Sequence, residues 1–241
     1  MITRMLAGGV LAGFAAGLFA ALLHFAFVQK LILLGEQYET GALVHFETSD
    51  TQAPAASSHG ESETGHAEGD AAPDGESPFK RNALTVLFAA LTYTSFGILI
   101  VAGFALAEHF GRTVTAREGM LWGLAGFAVF QLAPAMGLPP GLPGTVSPDI
   151  GVRQVWWFGT VLATATGIAC LAYGRSLVPA VLGGALLAAP HVIGAPQLDQ
   201  FYGVAPPEVA AAFSANVLGV GFIAWAVLGW LAGRLWSSSA T

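Results

Sequence analysis

Charge is the scarcest property of this 241-residue chain: Asp, Glu, Lys and Arg together make up 10% of it. A soluble domain spreads about a quarter of its residues as charges over its surface. So few charges could not cover a water-facing exterior. Cysteine is scarcer still. Cys170 stands alone, which excludes an intrachain disulfide and any thiolate metal cluster; inside an apolar run it reads as a small packing residue. The nine basic residues form no stripe, so nothing is offered to a phosphate backbone and nucleic acid is excluded as a partner. No GxxxxGK[ST] loop occurs, which removes the usual route to ATP hydrolysis. Catalytic zinc spacings such as HExxH are missing too, as are paired acids or a nucleophile with its base inside the apolar runs. The chain is not expected to be an enzyme, and no organic cofactor is expected.

Apolar residues, by contrast, make up 54% of the chain. They form six runs, at about Met5–Val28, Ala83–Ala107, Glu118–Met136, Val152–Tyr173, Leu177–Ile193 and Glu208–Leu235. Backbone groups in lipid must be satisfied within the segment, so runs of about 20 residues read as membrane helices. The alternation of a membrane barrel is absent. The expected fold is all-α: a polytopic membrane helix bundle of about six transmembrane helices, with lipid around it. Removal of the first run as a signal peptide would leave five, but its apolar stretch exceeds a signal h-region and an uncleaved helix is expected. The fifth run has the weakest pattern, since Pro179, Gly183, Gly184 and Pro190 interrupt it.

Ten of the fifteen acids lie between Gly35 and Asn82. That stretch is rich in Gly, Ser, Ala and Pro and poor in large apolar residues, so its middle is expected to be disordered. The chain divides into a first helix with its outer extension (1–34), the acidic His-containing loop (35–82) and a bundle of about five helices (83–241). Arg4, Arg112, Arg117, Arg175 and Arg234 fall on one side of six alternating helices, which makes that side cytoplasmic by the positive-inside rule. Both termini are then cytoplasmic and the long loop faces outward. Small residues recur every fourth position, at Gly9, Gly13 and Gly17, at Gly119 and Gly123, and at Gly229 and Gly233. This spacing is expected to serve close packing within the bundle, ahead of the alternative of a homo-oligomer face.

Polar groups in or beside membrane spans are costly and therefore informative. On this topology His24, His45, His59, His66 and His191 gather at the outer face with Glu36, Glu39, Glu47 and Asp199; His109, beside Glu108, is on the inner side. Imidazole and carboxylate together suit divalent first-row metals such as Co, Ni or Zn. Plainer roles exist for each: a core histidine at position 24, solvated tether residues at 59 and 66, and a helix end at Glu108-His109. The segment Pro190–Gln197 places His191 between two breakers, and a proline there frees backbone carbonyls, a recurring way to coordinate cations near a membrane. His191 is the leading single ligand candidate. The metal-ligand set is His191, His24, Glu36, Glu39, His45, His59, His66 and Asp199.

Four stretches carry a resemblance: Met5-Leu6-Ala7-Gly8-Gly9 with Ala12-Gly13; Glu36-Gln37-Tyr38-Glu39; the Pro139–Gly144 loop followed by Arg153-Gln154-Val155-Trp156-Trp157; and Pro190–Gln197. With these the chain resembles the CbtA family of cobalt transporter subunits. The resemblance implies a multi-span protein of the bacterial inner membrane, often described with five spans. It also implies cobalt as the metal and a small one-helix partner, CbtB, with a histidine-rich tail. The family's proline loop carries a glutamate where this chain has Gly141. The expected function is a membrane subunit for divalent cobalt uptake, capturing the ion at the outer face and passing it inward. The alternative is a membrane metal-binding scaffold or assembly factor that moves nothing across.

Overall fold

A computed structural model describes residues 2–45, 77–200 and 203–239. The expected disorder of the acidic loop, together with Glu47, His59 and His66, lies outside the described residues. Among those described there is no strand, and six helices account for the regular structure. Helix α1 covers residues 2–39, α2 is Pro78–His109, α3 is Ala116–Gly137, α4 is Ile150–Tyr173, α5 is Leu177–Ile193 and α6 is Pro207–Ser239. Five are long and apolar enough to cross a membrane; α5, at 17 residues, is shorter. The chain is a multi-pass membrane protein.

Local chemistry sets the helix starts. Ser77 caps α2, its hydroxyl accepting from the Lys80 N–H at 3.2 Å, and Pro78 follows at the first helical position, where a missing donor costs nothing. Thr115 and Glu118 form a reciprocal capping box at α3. Asp149 caps α4 by accepting from the N–H groups of Gly151 and Val152. The helices accordingly reach past the apolar runs. The largest extension is in α1, where Gln29–Glu39 continue the helix although they are only weakly apolar. A tertiary contact holds that extension, because Gly35 is buried against Leu142 and Pro143 of the proline loop.

Helices pack closely in antiparallel pairs, α1 with α2, α3 with α6 and α4 with α5. In α1–α2 the backbones nearly touch: a Cβ built on Gly17 would sit 2.6 Å from the Ala90 Cα. In α3–α6 the same closeness puts a Cβ on Gly119 at 2.6 Å from the Gly233 Cα. Small residues are therefore required at these crossings. The α1–α2 and α3–α6 pairs meet where α1 lies on α6, over a core that includes Phe104, Trp225, Leu228 and Trp236. Phe130 stacks on Trp225 with the rings 7° from parallel. Helices α4 and α5 pair with each other, and α4 docks on the C-terminal half of α3. Large apolar side chains such as Leu11, Phe88, Val155 and Leu177 point outward, as a lipid-facing surface requires.

The ends of α1, α3 and α5 lie with the starts of α2, α4 and α6 at one end of the bundle, the loop end. There the 138–149 loop folds over α1 and α6. Ser214 donates to the Pro140 carbonyl at 2.7 Å, and Thr145 pairs with Gly203 in an isolated antiparallel bridge. Leu142, 4% exposed, drops between Val28 and Phe213 and seals this end of the α1–α6 interface.

Candidate functional site

Two of the helices are irregular within the membrane. In α1 the turn His24–Val28 is π-helical, and in α3 so is Ala128–Leu132. A π turn fits an extra residue into the helix and occurs often at functional sites. Each of these turns carries a polar side chain in otherwise apolar sequence, His24 in one and Gln131 in the other. Both face the same cleft, of about 170 Å³, whose walls also include Thr85 and Tyr93 of α2 and Val217, Val220 and Gly221 of α6.

The cleft continues a polar seam toward the loop end. Arg81, Thr85, Ala89 and Tyr93 repeat every four residues and so share one face of α2. Opposite Arg81 stands Glu36 of α1, with Arg81 Nη1 3.4 Å from Glu36 Oε2 and both side chains half-exposed. One layer deeper, Gln29 donates its amide to Asn82 Oδ1 at 2.9 Å. Then come Thr85, whose hydroxyl donates to the Arg81 carbonyl at 3.0 Å, and His24. Paired polar groups thus lead from the surface to a histidine inside the membrane.

The paired groups end at the cleft. Among the described residues His24 makes no hydrogen bond, and Gln131 Oε1 is buried without a donor. Buried polar atoms are nearly always bonded, so the orphaned Gln131 Oε1 beside the half-buried, unbonded His24 makes this cleft the candidate site. Gly221 makes the room: a Cβ there would overlap Gln131 Oε1. On the side away from the loops the cleft is backed by the aromatic layer of Tyr93, Phe96, Phe130 and Trp225, with Phe96 and Trp225 centroids 4.5 Å apart.

The residues singled out from the sequence are distributed as follows. Glu36 pairs with Arg81, and Glu39 ends α1 with its side chain against Gly144 of the proline loop. His45 follows shortly after, at the same end. His191 occupies the last turn of α5 and Asp199 is exposed beyond it, again at the loop end. His24 is deeper. Pro190 does not break α5: the helix continues to Ile193 and stops at Gly194, whose φ is 88°. The Pro190 carbonyl takes a hydrogen bond from the Gly194 N–H at 3.0 Å and another from Trp156 Nε1 at 3.4 Å. His191 does not line the His24 cleft, because α5 packs on α4, away from α1. Among the described residues no three His, Cys, Asp or Glu side chains come together in a metal cage. Glu108, at the opposite end, accepts from Trp236 Nε1 at 2.7 Å and fastens α2 to α6.

Gln29, Asn82, Thr85, Tyr93 and Gln131 escaped the sequence reading. Gln131 was the most accessible of them, as a lone amide in the middle of an apolar run. The others gain meaning only from partners 53 residues away, as Gln29 does from Asn82.

A family model described as probable cobalt transporter subunit (CbtA) matches residues 2–237. No curated protein and no solved structure matches the chain.

Proposed function

The chain belongs to the CbtA family of probable cobalt transporter subunits, and on that premise we propose that it takes up divalent cobalt at the outer face of the bacterial inner membrane and passes it inward. Both termini face the cytoplasm in this reading, and the loop end faces out. Glu36, Glu39, His45, His59, His66, His191 and Asp199 form a dispersed set of carboxylates and imidazoles that raises the local cation concentration around the mouth. From there the ion follows the seam between α1 and α2. The observation that carries the reading is this polar seam, which descends from Glu36 to His24 through an otherwise apolar bundle. A scaffold that only binds metal at the surface has no use for polar groups placed at such cost in lipid. A one-helix CbtB-type partner with a histidine-rich tail, or a second copy of the chain, would complete the transporter. The ion is cargo, and the chain performs no covalent chemistry on it.

Cobalt uptake into vesicles holding the full chain, with and without a one-helix histidine-rich partner, tests the reading. Wild-type vesicles accumulate the ion. Glu36→Gln lowers uptake at scarce metal more than at saturation, because it weakens capture. Deleting Pro54–Pro73 leaves maximal uptake near normal for the same reason. Binding without any accumulation in either vesicle type would make the chain a scaffold instead.

A further inference from the structure

We infer that the cleft between α1, α2, α3 and α6 is a binding site for a divalent cation stripped of part of its water shell, held by the His24 imidazole and the Gln131 amide oxygen. The inference deepens the transport reading and rests on it only for the identity of the ion. Three features, drawn from α1, α3 and α6, converge on it. Both side chains stand on π turns, the only two among the described residues, and both turns open toward one space. Of the polar groups that line this space, Gln131 Oε1 is buried without a donor and His24 makes no hydrogen bond among the described residues. The third is Gly221, which leaves room for the amide where any side chain would displace it.

The chemistry fits a borderline cation. Imidazole nitrogen and carbonyl oxygen both suit Co²⁺ and its neighbours, and neither needs to lose a proton when His24 is neutral. One water needs roughly 10–15 Å³ of such space, so a cleft of about 170 Å³ accommodates an ion together with several retained waters. The Tyr93 hydroxyl and Thr85 Oγ1 stand on the same walls to bond those waters.

The ligand set is also weak by design. A resident structural metal is closed in by four protein ligands, whereas here there are two, neither of them an anion. Conduction demands binding favourable enough to enter and loose enough to leave. A carboxylate in place of the amide would hold the ion too long. Glu36, at the mouth, is the acidic residue of the seam, and there it is already paired with Arg81.

Equilibrium dialysis of purified full-length protein against Co²⁺, with visible absorption of the bound ion, tests the site. His24→Ala and Gln131→Leu each weaken binding at this site roughly ten-fold, and Gly221→Ala does so through displacement of the amide. Gln131→Glu, which keeps the shape, tightens binding yet slows vesicle uptake. That opposite movement of affinity and flux is something a packing role would not produce, and it can be read even where the Leu variant folds poorly. Unchanged affinity in His24→Ala and in Gln131→Glu, with melting temperatures retained, overturns the inference while leaving cobalt uptake through the seam intact. Altered affinity in these variants, in a protein that accumulates no cobalt, keeps the site and removes the transport reading.

Discussion

At the scale of single residues, two kinds of side chain do most to define this protein: those that are missing and those that are polar. At Gly17 the facing backbone of α2 leaves no room for a Cβ, since the Ala90 Cα would be 2.6 Å away. Gly17→Leu should therefore push α1 from α2 and cost about 1–3 kcal/mol, the usual range for overpacking. A drop in the melting temperature of the detergent-solubilised protein checks this. Gly159→Leu is the matching control, because a Cβ there meets nothing within 4 Å, and its melting temperature should stay near wild type. The four-residue glycine spacing was legible as helix packing from the sequence alone. Which helix each stripe would face was not, because that depends on pairings the spacing does not encode.

At the scale of elements, the apolar runs located all six helices, because the demand for internal backbone bonding leaves little other choice in lipid. Their ends were harder to place. The start of α2 depends on a serine cap followed by proline, and the last turns of α1 on a glycine seated under the proline loop; neither signal is hydrophobic. Pro190 was misleading for the opposite reason. A proline near the end of a helix frees a carbonyl only in the turn before it, and Gly194 supplies the actual stop. The π turns had no signature in composition at all. A π turn amounts to one residue more than the α-helical count, so deleting the exposed Ala26 should restore an ordinary helix while keeping the Gln29–Glu39 register with α2. The expected outcome is a folded protein with the circular-dichroism spectrum of wild type and a large loss of cobalt uptake. Retained uptake would mean that the bulge does not orient His24.

At the scale of the whole molecule, the question of five or six spans turns on α5. Its 17 residues rise about 25 Å at 1.5 Å each, a little less than the roughly 30 Å of a hydrocarbon core. It lies antiparallel to α4, with Gly183 against Gly167 near one end of the pair's contact and Pro190 against Trp156 near the other, so it returns the chain to the loop end. Because Cys170 is the only cysteine, Cys170→Ser gives a clean background for labelling. Arg112→Cys and Arg175→Cys should react with an impermeant maleimide from one side, and Asp199→Cys from the other. Labelling of 175 and 199 from the same side would make α5 re-entrant and leave five spans. The candidate cleft was legible only in outline at this scale. The sequence pointed to one end of the bundle and to His24, but the seam between Glu36 and Gln131 is assembled from four helices and has no linear trace.

The glycine crossings have a mechanical consequence. Where main chain rests on main chain, no side-chain rotamer can yield, so each of the two pairs α1–α2 and α3–α6 resists being pried open from within. Compliance is left to the α1–α6 boundary, where side chains rather than main chain meet, and the cleft that holds His24 and Gln131 is walled by both of these helices. Any widening of the passage would thus come from two stiff levers tilting about one soft joint, with the 138–149 loop and its Leu142 wedge straddling it like a clasp.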